Sequence, residues 1–203
     1  MSHKLHRGDL PAGIDFGAAV AVDTEAMGLN PHRDRLCLVQ LSAGSGDAHL
    51  VQLAPDGYDA PRLKALMADP GVTKIFHFAR FDLAMIYHYL GVMAGPVYCT
   101  KIASRLARTF TDKHGLRDLS KDLLNVDISK QQQSSDWGAA ALTDQQLQYA
   151  ATDVLHLHAL RAKLDAILAR EGRADLARAA FDFLPTRVLL DLEGWAEQDI
   201  FAH

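Results

Sequence analysis

Several things are scarce in this chain, and each shortage removes a class of protein. Only Cys37 and Cys99 occur among 203 residues, too few for a disulfide framework or a zinc knuckle. No apolar stretch approaches the roughly 18 residues of a membrane span. The opening MSHKLHRGDL lacks the apolar core and cleavage site of a secretory signal. These shortages predict a cytoplasmic protein. Excess positive charge is missing too: 21 Lys and Arg against 25 Asp and Glu leave a net charge of −4, whereas a protein gripping long nucleic acid carries a basic stripe. The one basic concentration, Lys101, Arg105, Arg108, Lys113 and Arg117, reads as a solvated helix face. With no internal repeat, low-complexity tract or Pro/Ser-rich linker, residues 1–203 predict a single domain.

What is present changes rhythm midway. The first half alternates short apolar runs with turns: 18–24, 35–43 (RLCLVQLSA) and 47–53 (DAHLVQL). Gly44, Ser45 and Gly46 between the last two signal a tight hairpin. Residues 60–69 predict a helix, 73–78 another buried strand, and 80–91 a helix stopped by Gly91. Helical periodicity marks 100–110 and 116–125, and it runs unbroken through 143–171 from a cap at Thr143 or Asp144. Beyond that helix a tail is expected over 185–203. Its Trp195, Ile200 and Phe201 predict docking, on the domain or on a neighbouring subunit, because free termini are usually polar. The order of elements predicts an α/β fold, a mixed sheet covered by helices.

Chemistry enters with the carboxylates. The strand predicted over 18–22 ends in Asp23 and Glu25, which as i and i+2 project from one face and repel unless positive charge lies between them. Asp82 opens the helix after the next strand, where sheets of this kind gather ligands. Tyr149 and Asp153 share a helix face as i and i+4. Phosphodiester hydrolysis needs charge neutralised on the attacking and leaving oxygens, which paired divalent cations do. Hard oxygen ligands favour Mg²⁺ or Mn²⁺.

Together, VDTEAMGL (22–29), HFARFDLAMI (77–86) and QYAATDVLHLHAL (148–160) resemble the three motifs of the DEDD exonuclease superfamily, in its tyrosine subgroup. SSDWGAAALTDQQLQYAATDV (134–154) is similar to ribonuclease D, and the length and pattern look closer to nanoRNase C, a compact bacterial branch. The resemblance implies a ribonuclease H-like fold and 3′–5′ exonuclease action on short RNA, diribonucleotides foremost, releasing nucleoside 5′-monophosphates. It implies two divalent cations, Mg²⁺ or Mn²⁺, and a homo-oligomer. By resemblance Asp23 bridges the cations, Glu25 and Asp153 complete one site, and Asp82 supports the other through water. Tyr149 orients or deprotonates the attacking water; an ordinary pKa near 10 makes it a poor base, which favours positioning. Thr24, Met27, Leu29, His77 and Phe81 are the expected substrate contacts, with Leu29 or Met27 wedged between the terminal bases. A basic group from 101–117 would cap the 5′ phosphate. The chain departs from the pattern at Phe78, where many members carry Asn.

Other readings carry less. His32-Arg33-Asp34 echoes a kinase loop without its companions, and with Arg35 it predicts a loop that faces phosphate. His156 and His158, as i and i+2 on a helix, diverge and cannot share an ion. The sequence leaves open a DNA-directed 3′–5′ exonuclease, since carboxylates read phosphate and not the 2′-hydroxyl. An inactive nucleic-acid-binding module is the other alternative, although such modules usually lose a ligand and none is missing here.

Overall fold

The computed structural model describes residues 2–129, 132 and 134–202. They build one α/β domain around a mixed six-stranded sheet. Its strands are β1 (Ser2–Arg7), β2 (Ala19–Ala26), β3 (Leu36–Ser42), β4 (Asp47–Gln52), β5 (Thr73–Phe76) and β6 (Val97–Cys99), in spatial order β1-β4-β3-β2-β5-β6. The meander β2-β3-β4 is antiparallel, while β1 on β4, β5 on β2 and β6 on β5 are parallel. Parallel pairing requires crossovers, and α1 (Pro61–Ala68) and α2 (Ala79–Leu90) supply them around β5. All seven residues of β3 are buried, as a strand covered on both faces must be.

The hairpin turn shows why glycine stands at 44. Gly44 has φ +80°, and a β-carbon there would lie 2.9 Å from the His158 ring. That ring donates from Nε2 to the Ser42 carbonyl at 3.1 Å, so the turn and the helical layer are tied at one point. His158 is thus a structural residue and not a ligand.

The structure differs from the sequence reading in three ways. Helices α3 (Thr100–Ala107) and α4 (Leu116–Leu124) fall where periodicity placed them. The expected long helix 143–171 breaks at His156 into α5 (Asp144–Leu155) and α6 (Leu157–Arg170), so that α5 lies on strands β1 to β4 while α6 packs chiefly against α3 and α4. The tail expected from 185 instead begins inside α7 (Ala174–Leu190), which buries Ala177, Phe181, Leu184 and Val188 along one face. Pro185 sits within that helix; proline costs an internal hydrogen bond, and the buried stripe holds the helix together across it. The third difference is β1, an edge strand held by its backbone, which pairs in register from Ser2 with Asp47 to Arg7 with Gln52.

The basic stretch is not one solvated face. Arg108 is 3% exposed, paired with Asp122 and donating to the Lys113 carbonyl at 3.1 Å. In the 32–35 loop Arg33 pairs with Asp34 at 2.7 Å and stays exposed. Arg35 donates to the carbonyls of Leu53 (3.2 Å) and Gly138 (3.0 Å).

After α7 the chain makes a wide helical turn, Asp191–Trp195. Asp191 accepts from Arg80 of α2 and from Arg187 of α7, and Arg80 also donates to the Ala196 carbonyl at 3.0 Å. Asp191→Ala leaves two guanidinium groups without their shared partner. It should cost about 2 kcal/mol, seen as a fall in Tm of roughly 5 °C; an unchanged melt would show that the tail holds by other contacts. No helix among the described residues is long and apolar enough to cross a membrane.

Candidate active site

The site forms where β2 outruns its neighbour. The pairing of β5 with β2 ends at Ala21 opposite Ile75. Two residues on, Asp23 is level with the point where β5 gives way to His77, Phe78 and α2. On the other side β3 stays paired, with Gln40 opposite Asp23 and Leu38 opposite Glu25. The register then slips between Glu25 and Ala26, a bulge that re-aims the strand end as bulges beside ligand sites do. Asp23 and Glu25 therefore point into a cleft and not into the sheet.

Helix α5 closes the cleft from above. A capping box fixes its start: the Thr143 hydroxyl accepts from the Gln146 amide at 3.2 Å, and the Gln146 side chain accepts from Thr143 N–H at 2.9 Å. Counting from this anchor puts Tyr149 and Asp153 on the face toward β2. Carboxylate oxygens of Asp23, Glu25 and Asp153 lie within 4.8 Å of one another. Asp82 stands behind that trio, 3% exposed, and takes the Thr24 hydroxyl at 2.7 Å. Thr24 thereby holds the helix carboxylate to the strand motif, which is one reason for a hydroxyl between Asp23 and Glu25. Gln40 donates to Asp23 Oδ2 at 3.4 Å, and its own Oε1 is buried with no partner among the described residues.

The expected substrate contacts Thr24, Met27, Leu29, His77 and Phe81 line the same cleft as Asp23, Glu25, Tyr149 and Asp153. The cavity volume is about 710 Å³, within the roughly 300–1,000 Å³ of small-ligand sites. Met27 and Leu29 are 52% and 83% exposed, so neither is a core anchor. Sequence reasoning did not single out two further residues. One is Gln40, a polar side chain in the middle of the fully buried strand β3. The other is Trp137, 2% exposed with an unpartnered indole N–H among the described residues, its ring 6.1 Å from that of Tyr149.

Electrostatics follow from crowding. Burial pushes the Asp23 carboxyl up to about 7. Burial, then the charges of Asp23, Asp153 and Asp82, push Glu25 up to about 10. Asp82 and Asp153 are raised by burial and by Asp23. The Tyr149 phenol is raised by burial and by neighbouring carboxylates, and it shares a hydrogen bond with Asp153. His77 is pushed down to about 3 by burial and by Lys101, so it is neutral. Its tautomer can be assigned. The Thr100 hydroxyl donates to the Phe76 carbonyl (3.1 Å) and so must accept from His77 Nδ1 (2.9 Å). Nε2 remains an acceptor.

These shifts give a sign for stability. A carboxyl whose folded pKa lies above its unfolded value binds protons better when folded, so stability falls as pH climbs from the unfolded to the folded pKa. With EDTA present, Tm should drop by about 5 °C between pH 5 and pH 8, and saturating Mg²⁺ should remove the drop. A cation-free melt that improves over that range would contradict the crowded-carboxylate picture.

The donor set, all carboxylate oxygens close enough to share an ion, fits a hard divalent cation. Comparison with known proteins points the same way. The profile of the 3'-5' exonuclease family matches residues 10–169. Ribonuclease D of Acidiphilium cryptum is 38% identical over 156 residues, which span 77% of this chain and 39% of that enzyme. The chain thus spans about two fifths of the length of such curated relatives. Among solved structures, Brucella melitensis NrnC with bound Mg²⁺ superposes with a TM-score of 0.96 at 55% identity over 100% of both chains. The same protein bound to pGG gives 0.97 at 56% identity over 100% of this chain and 99% of that one.

Proposed function

The chain belongs to the 3′–5′ exonuclease family and is a relative of ribonuclease D, and from that premise we propose that it removes nucleotides from the 3′ ends of short RNA, diribonucleotides foremost, releasing nucleoside 5′-monophosphates. One observation carries the reading: Asp23, Glu25 and Asp153 converge beside Tyr149 in a cleft of bounded volume. A relative matched over 99% of its solved chain, and bound there to pGG, supports it.

Asp23, Glu25 and Asp153 would hold divalent cations, Mg²⁺ or Mn²⁺, with Asp82 supporting a second ion from behind. Two such ions supply charge neutralisation at the scissile phosphate. The protein does the rest. Tyr149, fixed by Asp153 and by the Trp137 ring, aims the attacking water. His77 Nε2, an acceptor at the cleft wall, takes a hydrogen bond from a ribose hydroxyl, which favours RNA. Leu29, or Met27 beside it, wedges between the two terminal bases, consistent with their exposure. Lys101 and Arg117 line the cleft and receive the 5′ phosphate, which limits substrate length.

Assembly belongs to the same proposal. Leu189, Trp195, Ile200 and Phe201 are 41%, 42%, 44% and 69% exposed, an apolar group that a second copy of the chain would cover. Light scattering should find a homo-oligomer for the full chain and a smaller species for a chain ending at Glu193.

End-labelled RNAs of two to twenty nucleotides, with and without EDTA, test the function. The two-nucleotide substrate should be cleaved at least about tenfold faster than a ten-mer, the difference that one lost phosphate contact produces. All cleavage should stop in EDTA. Equal rates would remove the length preference, and EDTA-resistant or absent hydrolysis would remove the exonuclease reading.

A further inference from the structure

Two non-glycine residues have positive φ among those described, Asn125 and Phe78. Asn125 ends α4 in the left-handed region, a conformation asparagine tolerates. Phe78 precedes α2 at φ 71°, ψ 46°, which for a bulky side chain is a strained outlier. Helix starts normally have an extended residue with a capping oxygen at this position; Phe78 offers neither shape nor cap. The phenyl ring does not repay the strain by filling the core, because it is 46% exposed. Strained residues that persist this way cluster at ligand clamps.

The surroundings say what the ring is for. Phe78 lines the cleft that holds Asp23, Glu25 and Asp153. The Lys101 ammonium lies over one face of the ring, 4.2 Å from its centroid, and the ring as a whole stays 46% exposed at the cleft. A planar aromatic surface beside a cation and a carboxylate cluster suits a ligand that has both a phosphate and a flat π-system. A nucleotide has both. Resting on the reading of short RNA as substrate, we propose that Phe78 is the base platform of the cleft: a substrate nucleobase stacks on the face away from Lys101, and Lys101 is held where it can meet the adjoining phosphate. The backbone strain is the cost of turning the ring into the cleft at the junction between β5 and α2. Stacking is indifferent to which base is present, so the platform contributes affinity and not base choice.

The test compares wild type with Phe78→Asn and Phe78→Trp. Asparagine accepts the left-handed backbone but cannot stack, whereas tryptophan stacks and keeps the strain. Binding of pGG, pAA and pUU is measured by calorimetry with Ca²⁺ in place of Mg²⁺, and melting is measured without ligand. Phe78→Asn should raise Tm while weakening all three dinucleotides about tenfold, within the range for one lost base stack; in Mg²⁺ the loss should appear in KM more than in kcat. Phe78→Trp should bind as wild type does. Equal affinity in wild type and Phe78→Asn, a lowered Tm in Phe78→Asn, or weakening confined to one base would overturn the platform. The exonuclease reading fails separately, by wild type binding pGG in Ca²⁺ without cleaving it in Mg²⁺; a tenfold weaker Phe78→Asn would then still support the platform.

Discussion

Replacing Glu25 by Gln or Asp153 by Asn should lower kcat/KM at least about a thousandfold, roughly 4 kcal/mol of transition-state stabilisation, and should make the cation-free protein harder to melt. The first effect follows from the donor count. Three carboxylates bring oxygens within 4.8 Å of one another, and an amide in place of one removes both a ligand and a charge. The second effect follows from the raised pKa values. Without a cation, Glu25 either stays charged against Asp23, Asp153 and Asp82 or takes up a proton, its pKa pushed to about 10. Both states destabilise the fold at neutral pH, and glutamine avoids both. The Mg²⁺ response should move the opposite way. A ligand at a hundred times its Kd stabilises by about 2.7 kcal/mol, and that upward shift in Tm should shrink or vanish in the variants. Asp23→Asn and Asp82→Asn should lose activity similarly. Near wild-type turnover in the Glu25 or Asp153 variant, or a wild type that melts above both without cation, would break the link between crowding and metal binding.

How much of this could be read beforehand depends on the range of the forces involved. The central strand was legible because Val20, Ala21 and Val22 are fully buried and look it, and because β2 ends in charges that no sheet interior would hold. The hairpin was legible from Gly44 and Gly46, whose positive φ values are what Gly-Ser-Gly announces. β1 was hidden, since Leu5 is its only large apolar residue and its stability comes from backbone pairing with β4. α7 was hidden by Pro185, which local rules treat as a stop. The break at His156 leaves no mark on the periodicity; it reflects two different packing partners, the sheet for α5 and the helices α3 and α4 for α6. In the site, the carboxylates and Tyr149 announced themselves by residue type. Gln40 did not, because its meaning depends on standing opposite Asp23 in the sheet register. The strain at Phe78 is set by the junction of β5 with α2, and no local pattern encodes it.

Tyr149→Phe should lower kcat about a hundred- to a thousandfold while changing KM for pGG less than about threefold, and the ratio of wild-type to variant rates should stay constant from pH 6 to 9. A phenol can act on water by removing its proton or by holding it. Removal requires phenolate, and burial together with Asp153, Glu25 and Asp23 moves Tyr149 away from that form. The protonated phenol has a defined partner in Asp153, one helical turn along α5. Its ring is buttressed by Trp137, 6.1 Å away, so the hydroxyl is fixed in direction as well as in charge. Phenylalanine keeps the ring and its packing and deletes only that hydroxyl; substrate binding is therefore spared and orientation of the nucleophile is lost. If Tyr149 were instead the base, the wild-type rate would climb with pH as phenolate formed while the variant stayed flat, and their ratio would widen by about tenfold per pH unit below the pKa. A constant ratio supports the positional role, a widening one assigns proton removal to Tyr149, and an unchanged rate takes the tyrosine out of the reaction.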